Sequence, residues 1–233
     1  MLIGIHLPKT AGTSLREAID RTPAQKTTAY LYPDPPGISK EQLLAEFPKR
    51  HRKTQLIYGH LRFGLHRDLG VEARYLTVLR QPLARALSIF RHHYRHAHSR
   101  WHELARAEGI AGLFSLPHSH FTMTRFLATD TDPSGPDDDS YYSGDALLAL
   151  AKENLATSFA HIGLTEDLAR DLPRFSQLIG HPLQVERDNA DPQPLAADAL
   201  SDNERRIIDD ALSCDFELYE FAKDLREKSL LAR

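Results

Sequence analysis

The chain has 233 residues, of which 41% are hydrophobic and 26% charged, a composition that can bury the core of one α/β domain. A formal charge of −3 and a pI near 6.5 exclude nucleic-acid binding driven by net charge, so any polyanion must be met by a local patch. The single cysteine, Cys214, excludes an internal disulfide and reads as a buried thiol, and no window approaches the ~18 apolar residues of a membrane-spanning helix.

The first element is a short apolar run from Leu2 that can be a buried strand. It meets a turn rich in small and hydroxylic residues, Pro8-Lys9-Thr10-Ala11-Gly12-Thr13-Ser14, and then a helix over about Thr13 to Arg21 with apolar spacing at Leu15, Ala18 and Ile19. Strand, loop and helix in this order make an anion site, because the free N–H groups and positive dipole end of the helix point at the loop. Lys9 adds a full charge, and Thr10, Thr13 and Ser14 add hydroxyls.

A second strand is expected over Lys26 to Leu31, after which Pro33 to Gly37 forbids regular structure. Ser39 and Gln42 form a capping box that opens a helix through Phe47. The next strand, Gln55 to Tyr58, ends at Gly59-His60, and a loop-like stretch with Gly64 and Gly70 follows. Arg74 to Leu79 is a strand by its β-branched and aromatic content, and Pro82 suits the first turn of the helix after it. That helix is expected to continue through an Arg- and His-rich stretch, Arg91 to Arg106.

Phe121 to Leu127 reads as another helical piece. Thr129 to Ser140, with two prolines, one glycine and five aspartates, reads as a mobile loop. Gly144 to Phe159 is expected to be a helix, His161 to Leu164 a buried strand, and Thr165 the cap of a helix that Pro173 breaks or kinks. Asp188 to Pro194 is loop, Ser201 and Glu204 box the start of a helix from Asp202 to about Leu212, and Phe216 to Lys228 closes the chain as a helix. Strands alternating with helices predict an open, mostly parallel sheet flanked by helices in a single domain.

The early lysine distinguishes the loop from a Walker A motif, which ends in glycine-lysine-serine/threonine. Pro8 to Ser14 resembles the 5′-phosphosulfate loop of sulfotransferases that use 3′-phosphoadenosine 5′-phosphosulfate (PAPS), closest in pattern to carbohydrate enzymes related to the heparan sulfate 2-O type. In that family the 3′-phosphate is held by an Arg at a strand end and a Ser eight residues on, which Arg80 and Ser88 match. A guanidinium and a hydroxyl suit a phosphate.

The resemblance implies a P-loop-like fold, one sulfotransferase domain over 1–233, PAPS as co-substrate without a metal, and transfer of a sulfuryl group to a hydroxyl, with a carbohydrate as the acceptor. It implies nucleotide contacts from Lys9, Thr10, Ala11, Gly12, Thr13, Ser14, Arg80 and Ser88, with Lys9 also stabilising the leaving phosphate. Gly59-His60 matches a glycine-histidine pair of the family, and an imidazole titrates where a base for a sugar hydroxyl is needed. The heparan 2-O enzymes carry a further histidine where this chain has Tyr58, so the sequence leaves open whether His60 is the base or orients another group. A strand starting at residue 2 leaves no signal peptide or anchor ahead of it, and a cytoplasmic protein of bacterial type is expected. Ile162 to Glu166 and Asp215 to Tyr219 also resemble family segments that pack and cap. The pairs His92/His96 and His98/His102 have zinc-like spacing but lack completing ligands, and a cationic, acceptor-facing stretch is the better reading. An ATP-using small-molecule kinase and a non-catalytic nucleotide or glycan-binding module are the competing classes.

Overall fold

Both faces of the strands are apolar, and the chain answers this with helices on each side. The computed structural model describes residues 1–32, 37–50, 52–129, 144–185 and 197–231. Its sheet has five strands, β1 (Leu2–Ile5), β2 (Thr28–Leu31), β3 (Leu56–Gly59), β4 (Arg74–Leu79) and β5 (Phe159–Leu164), in the order β2-β3-β1-β4-β5. Every pairing is parallel, with Ile5 level with Gly59 on one side and Thr77 on the other. The expected α/β architecture is therefore observed, with a sheet that is parallel throughout.

Alternation along the strands sorts the core into two layers. Ile3, Ile5, Ile57, Tyr75 and Leu79 share one cluster, joined by residues of α6 (Thr122–Ala128), α7 (Gly144–Ser158) and α10 (Ser213–Leu231). Leu56, Tyr58, Leu76 and Val78 face the other way, against α1 (Gly12–Asp20) and α8 (Leu168–Ile179). A third cluster joins α4 (Pro82–Arg95), α5 (His102–Phe114) and α9 (Asp202–Ala211) through Leu83, Leu87, Leu113 and Ile208. The remaining helices are α2 (Lys40–Arg50) and α3 (Leu65–Leu69). Among the described residues, no helix is long and apolar enough to cross a membrane.

Both capping boxes form: Gln42 N–H donates to Ser39 Oγ at 3.2 Å and Glu204 N–H to Ser201 Oγ at 3.3 Å. Cys214 is a free, buried thiol. Several expectations are corrected. The stretch around Gly64 and Gly70 contains α3, whose two ends are these glycines in the left-handed region. The basic helix is not continuous from Arg91 to Arg106. It ends at Arg95, and α5 starts only at His102, because Ser99 Oγ bonds His93 Nδ1 and His102 Nδ1 donates to His93 O at 3.0 Å, which favours a turn between them.

Thr165 does not cap α8. Its hydroxyl donates to Leu79 O at 2.9 Å and ties the ends of β4 and β5 together. Pro173 lies inside one helix. Pro173 and Ala169, whose carbonyl loses its partner, are both exposed, so water can take that bond without a break. The two pieces expected there meet earlier, where a 3₁₀ turn over Thr165–Asp167 passes into α8. The expectations for Pro33 to Pro36, for 130–140 and for Asp188 to Pro194 lie outside the described residues.

Candidate active site

In an open parallel sheet, ligands bind beyond the carboxyl ends of the strands, where the strand order reverses. Here that point is the end of β1, flanked by β3 and β4. The loop Pro8 to Ser14 leaves β1, Gly59-His60 ends β3, and Arg80 ends β4, so three segments far apart in sequence meet at one edge.

The loop is strained and tied down. Lys9 (φ 68°) and Ala11 (φ 59°) sit in the left-handed region without being glycine, at about 1–2 kcal/mol each. Side chains from four places hold the backbone there. Arg85 Nε donates to Pro8 O at 3.0 Å, Arg80 Nη1 to Lys9 O at 3.3 Å, Thr10 Oγ1 to Leu7 O at 2.9 Å and Tyr58 OH to Gly12 O at 3.0 Å. These bonds occupy carbonyls, while the amides of the first turn of α1 have no partner within the helix. Thr10 is buried and its hydroxyl is spent on Leu7, so only its backbone N–H can serve a ligand. Ser14 is also buried, whereas Thr13 is exposed and lines the cleft.

Gly12 has a steric reason to be glycine: a Cβ there would lie 1.9 Å from Cδ2 of His6. That ring belongs to a cluster of four. His6 stacks on Tyr58 (5.8 Å between centroids, 20°) and on His60 (4.4 Å, 35°), and its Nδ1 is 2.7 Å from Tyr32 OH. Gly59 lets β2 approach this close, since its Cβ would lie 2.0 Å from Leu31 O. Tyr58 is buried and bound to the loop, so it is not available as a base.

His60 is exposed at the cleft, with Nδ1 2.7 Å from the His6 carbonyl. A carbonyl only accepts, so Nδ1 carries the proton and Nε2 is the basic nitrogen. Partial removal of the ring from water, on the side packed against His6, lowers the His60 pKa below its ordinary value, the bond to His6 O opposes this, and Arg16 adds to the lowering. His6 is lowered further, to about 3, by burial first and then by His60, Arg16 and Lys9.

These groups share a cavity of about 440 Å³ with Lys9, Thr13, Arg85, His92 and Trp101. From the basic stretch, His92, His93 and Trp101 line it too, but none of its arginines does. Burial and Lys9 lower the pKa of His92, and burial, His92, His118 and Lys9 bring His93 to about 4. Trp101 stacks on His118 at 4.5 Å. His60 also borders a second cavity of about 290 Å³, lined among others by Tyr32, Leu61 and Phe126. Among the described residues, no group of three or more His, Cys, Asp or Glu is arranged to hold a metal ion.

Lys9, Thr13 and His60 are therefore brought together around one cavity, while Arg80 and Ser88 lie beside it on the α4 side, Arg80 against the loop and Ser88 half-buried two turns along α4. Two residues escaped the sequence reading. Arg85 is buried, which lowers its pKa to about 10 although Asp215 opposes the shift, and it bridges the loop to α6 by donating to Thr122 Oγ1 at 2.6 Å. A cation inside the apolar stripe of Leu83, Ala86 and Leu87 is the signal that could have exposed it. His6 was legible in the same way, as a polar residue in an apolar run.

No family model matches the chain, and no curated protein sequence matches it. Among solved structures the fold is similar to that of mouse sulfotransferase SULT7A1, which was crystallised with PAP. That likeness has a TM-score of 0.55 at 14% identity and covers 98% of this chain and 88% of the mouse chain. At that identity the likeness is one of fold.

Proposed function

We propose that residues 1–233 form one PAPS-dependent sulfotransferase domain that moves the sulfuryl group to a hydroxyl of a carbohydrate acceptor. The observation that carries the reading is His60, its Nδ1–H engaged by the His6 carbonyl and its Nε2 basic, in the same cavity as Lys9 on a strand-loop-helix anion site. The first-turn amides of α1, the hydroxyls of Thr13 and Ser14, the backbone of Thr10, Ala11 and Gly12, and Lys9 take the 5′-phosphosulfate. Arg80 and Ser88 take the 3′-phosphate.

The reaction needs in-line attack, a base and stabilised charge on the oxygens in flight. The acceptor oxygen forms the new S–O bond and gives its proton to His60 Nε2. The bond from sulfur to the bridging oxygen breaks, and adenosine 3′,5′-bisphosphate (PAP) leaves with that oxygen, its charge met by Lys9. No step requires a metal. The same reading places the enzyme in a bacterial-type cytoplasm.

A thermal-shift comparison of PAP with ATP-magnesium tests the nucleotide. A ligand of the folded state at a hundredfold excess over Kd stabilises by about 2.7 kcal/mol. Stabilisation by PAP is expected, and stabilisation by ATP-magnesium alone would instead favour the kinase class. Label transfer from PAPS to a glycan panel separates an enzyme from a binding module.

A further inference from the structure

His6 is 6% exposed, lies at the end of β1, and is used by no step above. Among the described residues its ring has one hydrogen-bond partner, the Tyr32 hydroxyl at Nδ1. Burial keeps the Tyr32 phenol protonated well above neutral pH, and among the described residues its hydroxyl bonds only this ring. With this hydroxyl donating to Nδ1, the neutral ring carries its own proton on Nε2. That nitrogen lies over Gly12, the first residue of α1: a Cβ on Gly12 would be 2.3 Å from it. His6 also borders the cavity that holds Lys9 and Thr13. The one nitrogen of this largely buried ring without a hydrogen-bond partner among the described residues thus belongs to a residue that lines the cavity with Lys9, beside the first turn of α1.

We propose that His6 is a second, permanently neutral imidazole of this site, donating Nε2–H to an oxygen of the sulfuryl group in flight while His60 accepts the acceptor's proton. The proposal rests on the sulfuryl-transfer reading above. Its physical logic is a division between two touching rings. A charged His6 would repel the protonated His60 that the reaction creates, whereas a neutral donor stabilises oxygen charge without that cost. Neutrality is built in, because burial and the cations around it bring the His6 pKa to about 3. Tyr32 fixes which nitrogen is the donor.

The test uses the full chain with ¹⁵N-labelled histidine, and His6→Gln, His6→Phe and Tyr32→Phe variants. By NMR, His6 should show the Nε2–H tautomer from pH 5 to 9, and adding PAPS should move its Nε2 resonance more than adding PAP. An Nδ1–H tautomer, or equal responses to PAPS and PAP, would overturn the proposal, the second result assigning His6 to the 5′-phosphate instead. In label transfer from PAPS, His6→Phe should lower kcat roughly 10²-fold, the usual loss for one such donor, with PAP stabilisation kept. His6→Gln, whose amide nitrogen reaches the Nε2 position, should recover most of that loss, and Tyr32→Phe should lower kcat several-fold by releasing the tautomer. Wild-type kcat in both His6→Phe and Tyr32→Phe would reduce His6 to packing. Should PAP fail to stabilise even the wild type, the sulfotransferase reading falls, and the tautomer measurement still reports on His6 by itself.

Discussion

At the scale of single residues, His60 and Arg80 should fail in different ways. His60→Ala is expected to leave PAP affinity nearly intact while lowering kcat by roughly 10²- to 10⁴-fold, the range for losing a proton-transfer group. The wild-type kcat profile should carry an acidic limb below about 6.5, the ordinary histidine value, because removal from water lowers the His60 pKa. The limb should vanish in the variant, and near-normal kcat with the limb intact would move the base elsewhere. His93, in the same cavity, is the group to examine next. On the proposed assignment of Arg80 to the 3′-phosphate, Arg80→Ala removes a contact made equally in ground and transition states, so the loss should appear as a raised KM for PAPS with kcat little changed. Ser88→Ala should do the same more mildly, having lost one neutral donor. A collapsed kcat at unchanged KM would contradict both assignments.

Among the elements, the loop depends on a support that runs through three helices. Arg85 of α4 holds Pro8 O and Thr122 Oγ1, and Asp215 of α10 caps α6 by accepting from Met123 N–H (3.1 Å), Thr124 N–H (2.9 Å) and Thr124 Oγ1 (2.7 Å). Asp215 is also the opposite charge felt by buried Arg85. Asp215→Ala would leave a buried cation uncompensated and α6 uncapped, and should destabilise the fold by about 3–5 kcal/mol. Urea unfolding measures this, and a loss below about 1 kcal/mol would show that Arg85 does not rely on that carboxylate. The conservative Asp215→Asn keeps acceptor capacity and should cost less.

For the molecule as a whole, proton binding and anion binding should be linked. His6, His60, His92 and His93 border one cavity and all have lowered pKa values, burial being the first cause for each. Each is neutral in the folded chain at a pH where the unfolded chain already takes a proton. Stability from these groups is therefore present above about 6.5 and is lost as pH falls below it, at up to about 1.4 kcal/mol per pH unit for buried His6 until about pH 3. A bound bisphosphate opposes the positive potential that helps to lower them, so the stabilisation by PAP should be larger at pH 6 than at pH 8. Thermal shifts at the two pH values check this, and an equal or smaller shift at pH 6 would uncouple the histidines from the anion site.

The strand-loop-helix at Leu2 to Ile19, the β4-α4 unit with Arg80 and Ser88, and both capping boxes were legible in the sequence because each is set by local chemistry. Periodicity, capping residues and the spacing of loop side chains act within a few residues of one another. Tertiary structure alone decided the strand order, and with it that the ends of β3, β1 and β4 adjoin and bring Gly59-His60 to the loop. It also decided that Thr165 binds Leu79 rather than a helix end, that Tyr58 faces the loop backbone, and that Arg85 and His6 are buried beside the Pro8 to Ser14 loop. Hydroxyls and imidazoles bond whichever partner the fold brings near, and burial sets their protonation. Neither the partner nor the burial is a property of neighbouring residues in the chain.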